Sequence, residues 1–352
     1  MTEPRLSPVL LEHVLQGRDL SADQSAQLMR LWLQGEVEPV LTGALLAGLR
    51  AKGVSGSELA AMASVLRDAC ALPAERPHRA LVDTCGTGGA SVESGLESFN
   101  ISTAVAFTAA ACGVTVAKHG NRSASGRVGS ADVLEALGLN LAAPTAVALQ
   151  ALKQTGVTFL FAPGWHPSLA GLAPLRRALG VRTVFNLLGP LVNPLRPEAH
   201  VLGVARADLL DPMAEALRQL GMQRAVVVHG HGGLDEATLS GPSELRILNA
   251  GSVHSEWLDP TALGLTAAGG DALRGGDLAT NSRILQAVLQ GQGTPAQRDV
   301  VALNTALVLW VADRCDGFDD GVSMAADALA SGAAWQRLEG LRSALLNHSA
   351  GG

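Results

Sequence analysis

The chain has 352 residues, of which 47% are hydrophobic and 16% are charged. This composition is typical of a globular protein with one large or two modest domains, and it excludes extended disorder. The formal net charge of -6 argues against general nucleic-acid binding, because that function depends on a basic surface that releases counterions.

Residues 1–73 are predicted to form a small helical domain. Ser21 with Gln24, and Ser55 with Glu58, each have the spacing of a capping box, in which two side chains satisfy free N–H groups at a helix start. Apolar residues recur at helical spacing after both starts. The first residues, MTEPRLSPVLLEHVLQG, carry acids and no long apolar run. We therefore expect neither a signal peptide nor a membrane span, and a cytoplasmic location.

Short apolar segments alternate with helical ones in the rest of the chain. The predicted strands are 79–84, 113–118, 157–162, 199–204 and 224–230, and a β-hairpin pair is predicted within 238–258. Strands that are almost continuously apolar are buried on both faces. The fold class is therefore α/β: a small N-terminal helical domain and a large domain with a mostly parallel central sheet covered by helices.

The four cysteines, Cys70, Cys85, Cys112 and Cys315, lie far apart and show no metal-ligand spacing. We expect reduced thiols, as in cytoplasmic proteins.

Two segments near the end of the first predicted strand have the composition of an anion-binding site. Glycines in CGTGG (85–89) allow backbone N–H groups to approach phosphate oxygens, although a tight strand–helix turn also needs them. FNIST (99–103) begins a helix, where Asn100, Ser102 and Thr103 either cap it or direct free N–H groups at an anion. GTGG matches neither the dinucleotide-binding nor the Walker pattern, which counts against dehydrogenases and NTPases.

A third segment, KHGNR (118–122), follows the second predicted strand and precedes a helix that begins near Ser130. It is either a solvated basic loop or a source of charge and directional hydrogen bonds for a ligand. Because ligands in α/β sheets bind beyond the carboxyl ends of the strands, its position favours the second interpretation.

Two further groups of charged residues each allow two interpretations. Asp235 and Glu236, in HGHGGLDEATL, are either part of a solvated turn or oxygen ligands for Mg²⁺ beside bound phosphates. Arg176 and Arg177 lie on a predicted helix before a Gly/Pro-rich turn. Such an arginine either pairs with a surface acid or binds a substrate carboxylate through two parallel hydrogen bonds.

Taken in order, GTGG, FNIST, KHGNR, GSADVLEALG, the HP pair at 166–167, RTVFNLLGPLVNP and LDE resemble the anthranilate phosphoribosyltransferases. These enzymes join anthranilate to phosphoribosyl pyrophosphate (PRPP) in tryptophan synthesis. The resemblance extends over nearly the whole chain, and the ordered set is far more specific than any one motif.

The resemblance implies a large PRPP-binding domain formed by residues 79–166 and 191–348, with helices near 168–190 returning to the small domain. It implies a homodimer, usually paired through the small domains, with PRPP and anthranilate as small-molecule substrates. Neither nucleic acid nor a membrane is an expected partner. The active site would lie in the cleft between the two domains.

The resemblance also implies roles for individual residues. The implied PRPP contacts are Gly86, Thr87, Gly88, Gly89, Ser94, Ser98, Asn100, Ile101, Ser102, Thr103, Lys118, His119, Gly120, Asn121, Arg122, Ser125, Gly126 and Ser130. The implied anthranilate contacts are Gly86, His119, Asn121 and Arg176, and the implied Mg²⁺ ligands, for two ions, are Ser102, Asp235 and Glu236. No catalytic acid or base is expected, because an aromatic amine needs little deprotonation before it attacks.

The sequence departs from the family pattern in two places. After GTGG the usual spacing to FN is extended by four residues, and Ser94, or Ala90 in another alignment, replaces an aspartate. We prefer the alignment with Ser94, which places the insertion at residues 90–93. Gly126 replaces a serine that many members have. Both changes are expected to weaken substrate binding.

Three alternatives stay open at this point. A nucleoside phosphorylase of related fold would share the domain plan but lack Asn121 and Arg176 in these contexts. A non-catalytic, DNA-binding relative would show basic surface and eroded motifs, and here the charge is acidic and the motifs are intact. The third is an intact fold with low activity because of the altered glycine loop.

Overall fold

The protein is described from a computed structural model covering residues 6–70, 80–89, 95, 97–122 and 128–346. The N-terminal helical domain contains α1 (Leu6–Leu15), α2 (Ala22–Gln34), α3 (Pro39–Lys52) and α4 (Gly56–Asp68). Helices α2 and α4 begin at capping boxes formed by Ser21 with Gln24 and by Ser55 with Glu58. Both predicted helix starts are confirmed.

A seven-stranded sheet is the centre of the large domain. Its strands are β1 (Leu81–Gly86), β2 (Thr115–Gly120), β3 (Val157–Phe161), β4 (Ala199–Gly203), β5 (Arg224–His229), β6 (Ser243–Asn249) and β7 (Ser252–Leu258). Their order is β3-β2-β1-β4-β5-β6-β7. The pairs from β3 to β5 are parallel, and β6 and β7 add an antiparallel edge. The predicted α/β fold class, with a mostly parallel sheet, is confirmed.

Helices cover this sheet and connect its strands. They are α5 (Ile101–Ala111), α6 (Ser130–Ala136), α7 (Thr145–Thr155), α8 (Ala162–Trp165), α9 (Ala173–Leu179), α10 (Val184–Leu188), α11 (Leu210–Gln219), α12 (Leu278–Leu289), α13 (Pro295–Val311), α14 (Phe318–Ala330) and α15 (Ala333–Leu346). Short 3₁₀ helices are Pro167–Leu172, Gly189–Leu191, Ala207–Leu209, Pro260–Leu263 and Gly270–Leu273. No helix in these described ranges combines the length and apolar composition needed to cross a bilayer.

The predicted hairpin is β6–β7. Asn249 pairs with Ser252, so the connection is the two residues Ala250 and Gly251. Their φ angles are 48° and 84°, and positive φ at both positions is the geometry of the type I′ turn, whose twist matches that of the flanking strands.

Two apolar cores lie on opposite faces of the sheet. Val201 and Val226 point into a core with the helices of the large domain, and their neighbours Leu202 and Val227 point into a core shared with α2–α4. This division follows from the alternation of side chains along a strand. Phe185 of α10 belongs to the second core, so the segment before β4 packs on the helical domain. The domain limits proposed from the sequence stay a prediction.

Strands β1 and β2 continue two residues further than predicted. The sequence placed their ends at residues 84 and 118, whereas the sheet continues to Gly86 and Gly120. Pairing with neighbouring parallel strands explains the difference, because Gly86 lies opposite Gly203, and Gly120 opposite Phe161. His119 and Gly120, which follow the predicted strand, therefore also lie in the sheet.

One side chain fastens the turn before β4 to the middle of the sheet. The amide nitrogen of Asn193 donates to the Asp83 carboxylate and to the Ala117 carbonyl, each at 2.8 Å. Its oxygen accepts from the Leu195 N–H at 2.9 Å, and Asn193 is 1% exposed. Both the donor and the acceptor capacity of this amide are thus used inside the protein.

Asn193→Ala is expected to lower the free energy of unfolding by about 3 kcal/mol, because three buried polar groups lose a partner. Urea denaturation measures the change. Asn249→Ala, at an exposed position on β6, is the control and should stay within about 0.5 kcal/mol of the parent. If Asn193→Ala lowered the free energy of unfolding as little as the control does, this amide would not hold the turn.

Candidate active site

Apart from Arg176, which lies on α9, the predicted site residues that the structure describes lie around the carboxyl ends of the parallel strands. Ser94, Ser125 and Gly126, and the insertion at 90–93, lie outside the described residues. The other groups come from five segments: the glycine turn after β1, the residues at and just before the start of α5, the end of β2, the start of α6 and the loop after β5. Contacts between these segments define the site.

The loop with Asp235 and Glu236 lies directly against the ends of β1 and β4. A Cβ at Gly203 would overlap the backbone carbonyl of Asp235, and a Cβ at Gly86 would overlap its carboxylate. The Asp235 carboxylate accepts a hydrogen bond from the Gly88 N–H at 2.8 Å. Glycine at these strand ends therefore allows the acidic loop and the glycine turn to touch.

Both carboxyl groups of this loop have raised pKa values. Burial raises the pKa of Glu236 well above its ordinary value, and the adjacent Asp235 carboxylate raises it further. Burial also raises the pKa of Asp235. The Oε2 atom of Glu236 is buried and has no hydrogen-bond partner among the described residues. Two adjacent carboxylates with an unpaired buried oxygen are the oxygen-rich donor set that a hard cation such as Mg²⁺ requires.

Lys118 joins the end of β1 to the start of α5. The residue is 3% exposed, and its ammonium group donates to the Thr84 carbonyl at 2.5 Å and to the Ser102 hydroxyl at 3.2 Å. The positive charge of Lys118 also opposes the rise in the pKa of Glu236. The interpretation of this residue as part of a solvated loop is therefore wrong.

The starts of α5 and α6 are joined by side chains. The Thr103 hydroxyl donates to the Ser130 hydroxyl at 3.0 Å, and the Asn100 amide donates to the Val128 carbonyl at 3.2 Å. Gly129 is the N-cap of α6, so Ser130 is not its cap. The Asn100 side chain makes no capping hydrogen bond, and its Oδ1 is buried without a described partner. Capping therefore does not account for these polar side chains, and among them Asn100 Oδ1 is a buried acceptor without a described partner.

His119 is buried at the end of β2. Its Nδ1 lies 3.1 Å from the Gly189 carbonyl oxygen, which requires Nδ1 to carry the proton, and its Nε2 has no partner among the described residues. Burial lowers the pKa of His119 to about 3, with a further contribution from the His166 ring at 5.3 Å. The ring is therefore neutral and offers Nε2 as a hydrogen-bond acceptor.

Three further predicted residues, Asn121, Arg122 and Ser98, lie at the edge of this group. Asn121 and Arg122 are exposed, and Arg122 forms ion pairs with Asp132 at 2.7 Å and Glu135 at 2.6 Å. Arg122 is thus tied to α6. Ser98 lies three residues before α5 and forms an isolated β-bridge with Arg274.

Arg176 lies on α9, a helix that contacts α3 of the helical domain. Its guanidinium is 5.3 Å from the centre of the Phe185 ring, and burial lowers its pKa. No carboxylate of the described residues lies within salt-bridge distance of this guanidinium. Pairing with a surface acid is thus not observed in that part of the chain.

Sequence reasoning missed several residues that shape the site. Asp83 is fully buried and accepts from the His119 N–H at 3.1 Å. An acid in the apolar run RALVDT was the available signal. Arg182, which donates to the Thr87 carbonyl at 2.5 Å, had no such signal. The cysteine spacing also concealed a cluster of Asp83, Cys85 and His200, whose ligand-type atoms lie within 4.8 Å of one another.

The Asp83–Cys85–His200 cluster is best explained as internal packing. Cys85 Sγ lies 3.4 Å from His200 Nε2, and burial raises the pKa of its thiol well above the ordinary value. Burial lowers the pKa of His200 to about 3. Asp83 already accepts from Asn193 and His119, so its oxygens are engaged within the protein.

Comparison with known proteins identifies the family. The model of the "Glycosyl transferase family, a/b domain" matches residues 78–335, and that of the "Glycosyl transferase family, helical bundle domain" matches residues 8–70. An anthranilate phosphoribosyltransferase of Synechococcus sp. is 66% identical over 339 residues, which cover 96% of this chain and 95% of the relative. The chain belongs to the anthranilate phosphoribosyltransferase family. A Prochlorococcus marinus member is 64% identical over 336 residues, covering 96% of this chain and 95% of its own.

Solved structures of the family agree in fold. The anthranilate phosphoribosyltransferase of Thermus thermophilus is 42% identical and has a TM-score of 0.87, with 96% of this chain and 99% of that chain covered. The Saccharomyces cerevisiae family member in complex with PRPP and Mg is 25% identical and has a TM-score of 0.79, with 97% of this chain and 93% of that chain covered. The predicted family resemblance is thereby confirmed.

The burial of His119 predicts how the stability of the protein depends on pH. Because its pKa in the folded protein, about 3, lies below the ordinary 6.5, the unfolded chain binds a proton between these values that the folded protein does not. The stability that neutral His119 contributes is therefore present above pH 6.5 and lost as the pH falls towards 3. NMR of the imidazole groups should show one ring, absent in His119→Gln, that does not titrate between pH 5 and 8. Titration of that ring near pH 6.5 would contradict the buried, neutral state.

Proposed function

We propose that this protein transfers the phosphoribosyl group of PRPP to the amine of anthranilate, giving N-(5-phosphoribosyl)anthranilate and pyrophosphate. The observation that carries the proposal is the buried, unpaired Oε2 of Glu236, in a carboxylate pair that touches the glycine turn. A donor set for a cation and a turn for an anion meet there. Family membership and the relative in complex with PRPP and Mg support this assignment.

The described residues suit the binding of PRPP. Lys118 supplies a fixed positive charge beside Ser102, at the start of α5, where helix N–H groups and the helix dipole favour phosphate. The unpaired Oδ1 of Asn100 is a buried acceptor suited to a ligand hydroxyl. The other PRPP contacts implied by the family motifs are proposed on the same basis.

Mg²⁺ would be held by Asp235 and Glu236, and by Ser102 as a further oxygen ligand. The two adjacent carboxylates repel each other when both are ionised, and a divalent cation relieves that repulsion. Magnesium ions held there, proposed to be two, would supply charge stabilisation to a departing pyrophosphate.

Anthranilate would bind between the two domains. Arg176 is proposed to bind the carboxylate of anthranilate. Asn121, whose exposed amide directly follows β2, is proposed as a second contact to anthranilate. His119 Nε2 is proposed to accept a hydrogen bond from the attacking amine. With a pKa of about 3, this ring is too weak a base to remove the proton from a reactant.

The reaction follows from these placements. The bond from the anomeric carbon to the pyrophosphate oxygen breaks, and its electron pair leaves with pyrophosphate. The amine nitrogen bonds to the anomeric carbon and then loses a proton. Lys118, the glycine turn and the start of α5 orient PRPP and stabilise the leaving group, so that positioning and electrostatics supply most of the catalysis.

Two expectations stay predictions: pairing as a homodimer through the helical domains, which the family resemblance implies, and a location in the cytoplasm, which the N-terminal residues and the cysteines favour. Val9, Leu15 and Val40 of the helical domain are large apolar side chains that are 42%, 65% and 87% exposed. Exposed apolar groups of this kind suit a subunit contact.

The loss of anthranilate fluorescence in the presence of PRPP and Mg²⁺ tests the proposed function.

Arg176→Ala tests the acceptor site, the proposed binding site of anthranilate. The variant should have a higher KM for anthranilate. Its kcat/KM should fall by an amount equivalent to about 2 kcal/mol of transition-state stabilisation, because one charge-assisted contact is lost. Arg177→Ala, an exposed arginine on the same helix, is the control and should leave the KM unchanged.

Two results would contradict these assignments. Folded wild-type protein that neither binds nor consumes anthranilate would exclude the transferase activity and favour a low-activity or non-catalytic relative. An anthranilate KM in Arg176→Ala equal to that in Arg177→Ala would remove Arg176 from the acceptor site.

Asp235→Asn should raise the Mg²⁺ concentration at half-maximal activity about tenfold or more, because the variant loses one anionic ligand. A Mg²⁺ titration at saturating PRPP and anthranilate measures the shift. Asp313→Asn, an exposed acid remote from the site, is the matched control. Superimposable titrations for wild type and Asp235→Asn would contradict the metal role.

A further inference from the structure

Arg182 lies in the turn between α9 and α10. Its backbone carbonyl accepts a hydrogen bond from the guanidinium of Arg50, on α3, at 3.1 Å. Thr183 follows it, and the Thr183 N–H donates to the Asn186 side chain at 2.8 Å. The backbone of Arg182 is therefore held by the helical domain and by the first turn of α10.

The side chain of Arg182 crosses from this turn to the glycine turn of the α/β domain. Its Nη2 donates to the Thr87 carbonyl at 2.5 Å. A Cβ on Gly89 would lie 2.7 Å from the Arg182 Cζ and 3.1 Å from its Nε, so the guanidinium lies against the Gly89 backbone. Gly89 also has a φ of 94°, in the region that favours glycine. The positive φ favours glycine here, and the absence of a Cβ lets the Arg182 guanidinium lie against this backbone.

The glycine turn is consequently held from two sides by opposite charges. The Asp235 carboxylate accepts from the Gly88 N–H at 2.8 Å, and Arg182 donates to the preceding carbonyl. The same guanidinium opposes the rise in the pKa of Asp235, so it lies within electrostatic range of the acidic loop. The conformation of the turn depends on both groups.

We infer that Arg182 is a positioning residue for PRPP, which fixes the glycine turn in its pyrophosphate-binding conformation by tying it to the helical domain. The inference rests on the proposed function for the identity of the ligand. Arg182 is inferred to act through the turn, since its Nη2 donates to a backbone carbonyl of that turn. Loss of the Arg182 guanidinium is therefore expected to weaken the binding of PRPP selectively, whereas Arg176 is assigned to the binding of anthranilate.

The test compares Arg182→Gln and Arg182→Lys with the wild type, using calorimetric binding of PRPP with Mg²⁺ and steady-state kinetics. Arg182→Gln should weaken PRPP binding and raise its KM about tenfold, the effect of one charge-assisted hydrogen bond. The KM for anthranilate at saturating PRPP should stay unchanged. Arg182→Lys, which keeps the charge, should recover part of the PRPP affinity. Arg177→Gln is the control for loss of an arginine from the same segment.

A PRPP affinity of Arg182→Gln equal to that of Arg177→Gln would overturn the inference. Equal losses for both substrates, together with a lower Tm, would also overturn it, because they indicate a general structural role. If Arg182→Gln does not fold, Arg182→Lys is used instead. A rise in its KM for PRPP without a rise in its KM for anthranilate would support the inference, and equal rises in both would overturn it. Wild-type protein that binds PRPP without turnover would contradict the proposed function, while the binding comparison would still test Arg182.

Discussion

The buried carboxylate of Asp83 is the interaction on which the geometry of the site depends. It is completely buried, and burial raises its pKa to about 6, with the Lys118 charge acting in the opposite direction. A carboxylate in such a position is stable only when its oxygens are paired. One oxygen accepts from the His119 backbone, and the other accepts from Asn193. Asp83 thereby joins β1, β2 and the turn before β4.

Those three connections determine where the substrate-binding groups lie. Fixing the His119 backbone also fixes its neighbour Lys118, which contacts both Thr84 and Ser102. The turn at Asn193 ends the segment that carries α9 and α10, and so sets the position of Arg176 and Arg182 relative to the sheet. A single buried acid thus relates the proposed donor site to the proposed acceptor site.

The fold was predictable from the sequence to a large extent because its signals are local. Capping boxes at Ser21 and Ser55 marked helix starts, and apolar runs marked the strands. The ends of β1 and β2 were wrong by two residues, because hydrogen bonds to parallel neighbours, remote in sequence, extend those strands. The same cause placed His119 and Gly120 in the sheet, beyond the predicted end of the strand.

The sequence by itself determined the family and the types of residue available for chemistry, since both depend on ordered motifs such as GTGG, KHGNR and LDE. It did not determine which polar groups are left unpaired, because pairing is a property of packing. Only the tertiary structure showed that Glu236 Oε2 has no described partner, that His119 is neutral, and that Arg182 lies against Gly89. Each of these facts depends on distances between segments that are far apart in the chain, which no local pattern of residues encodes.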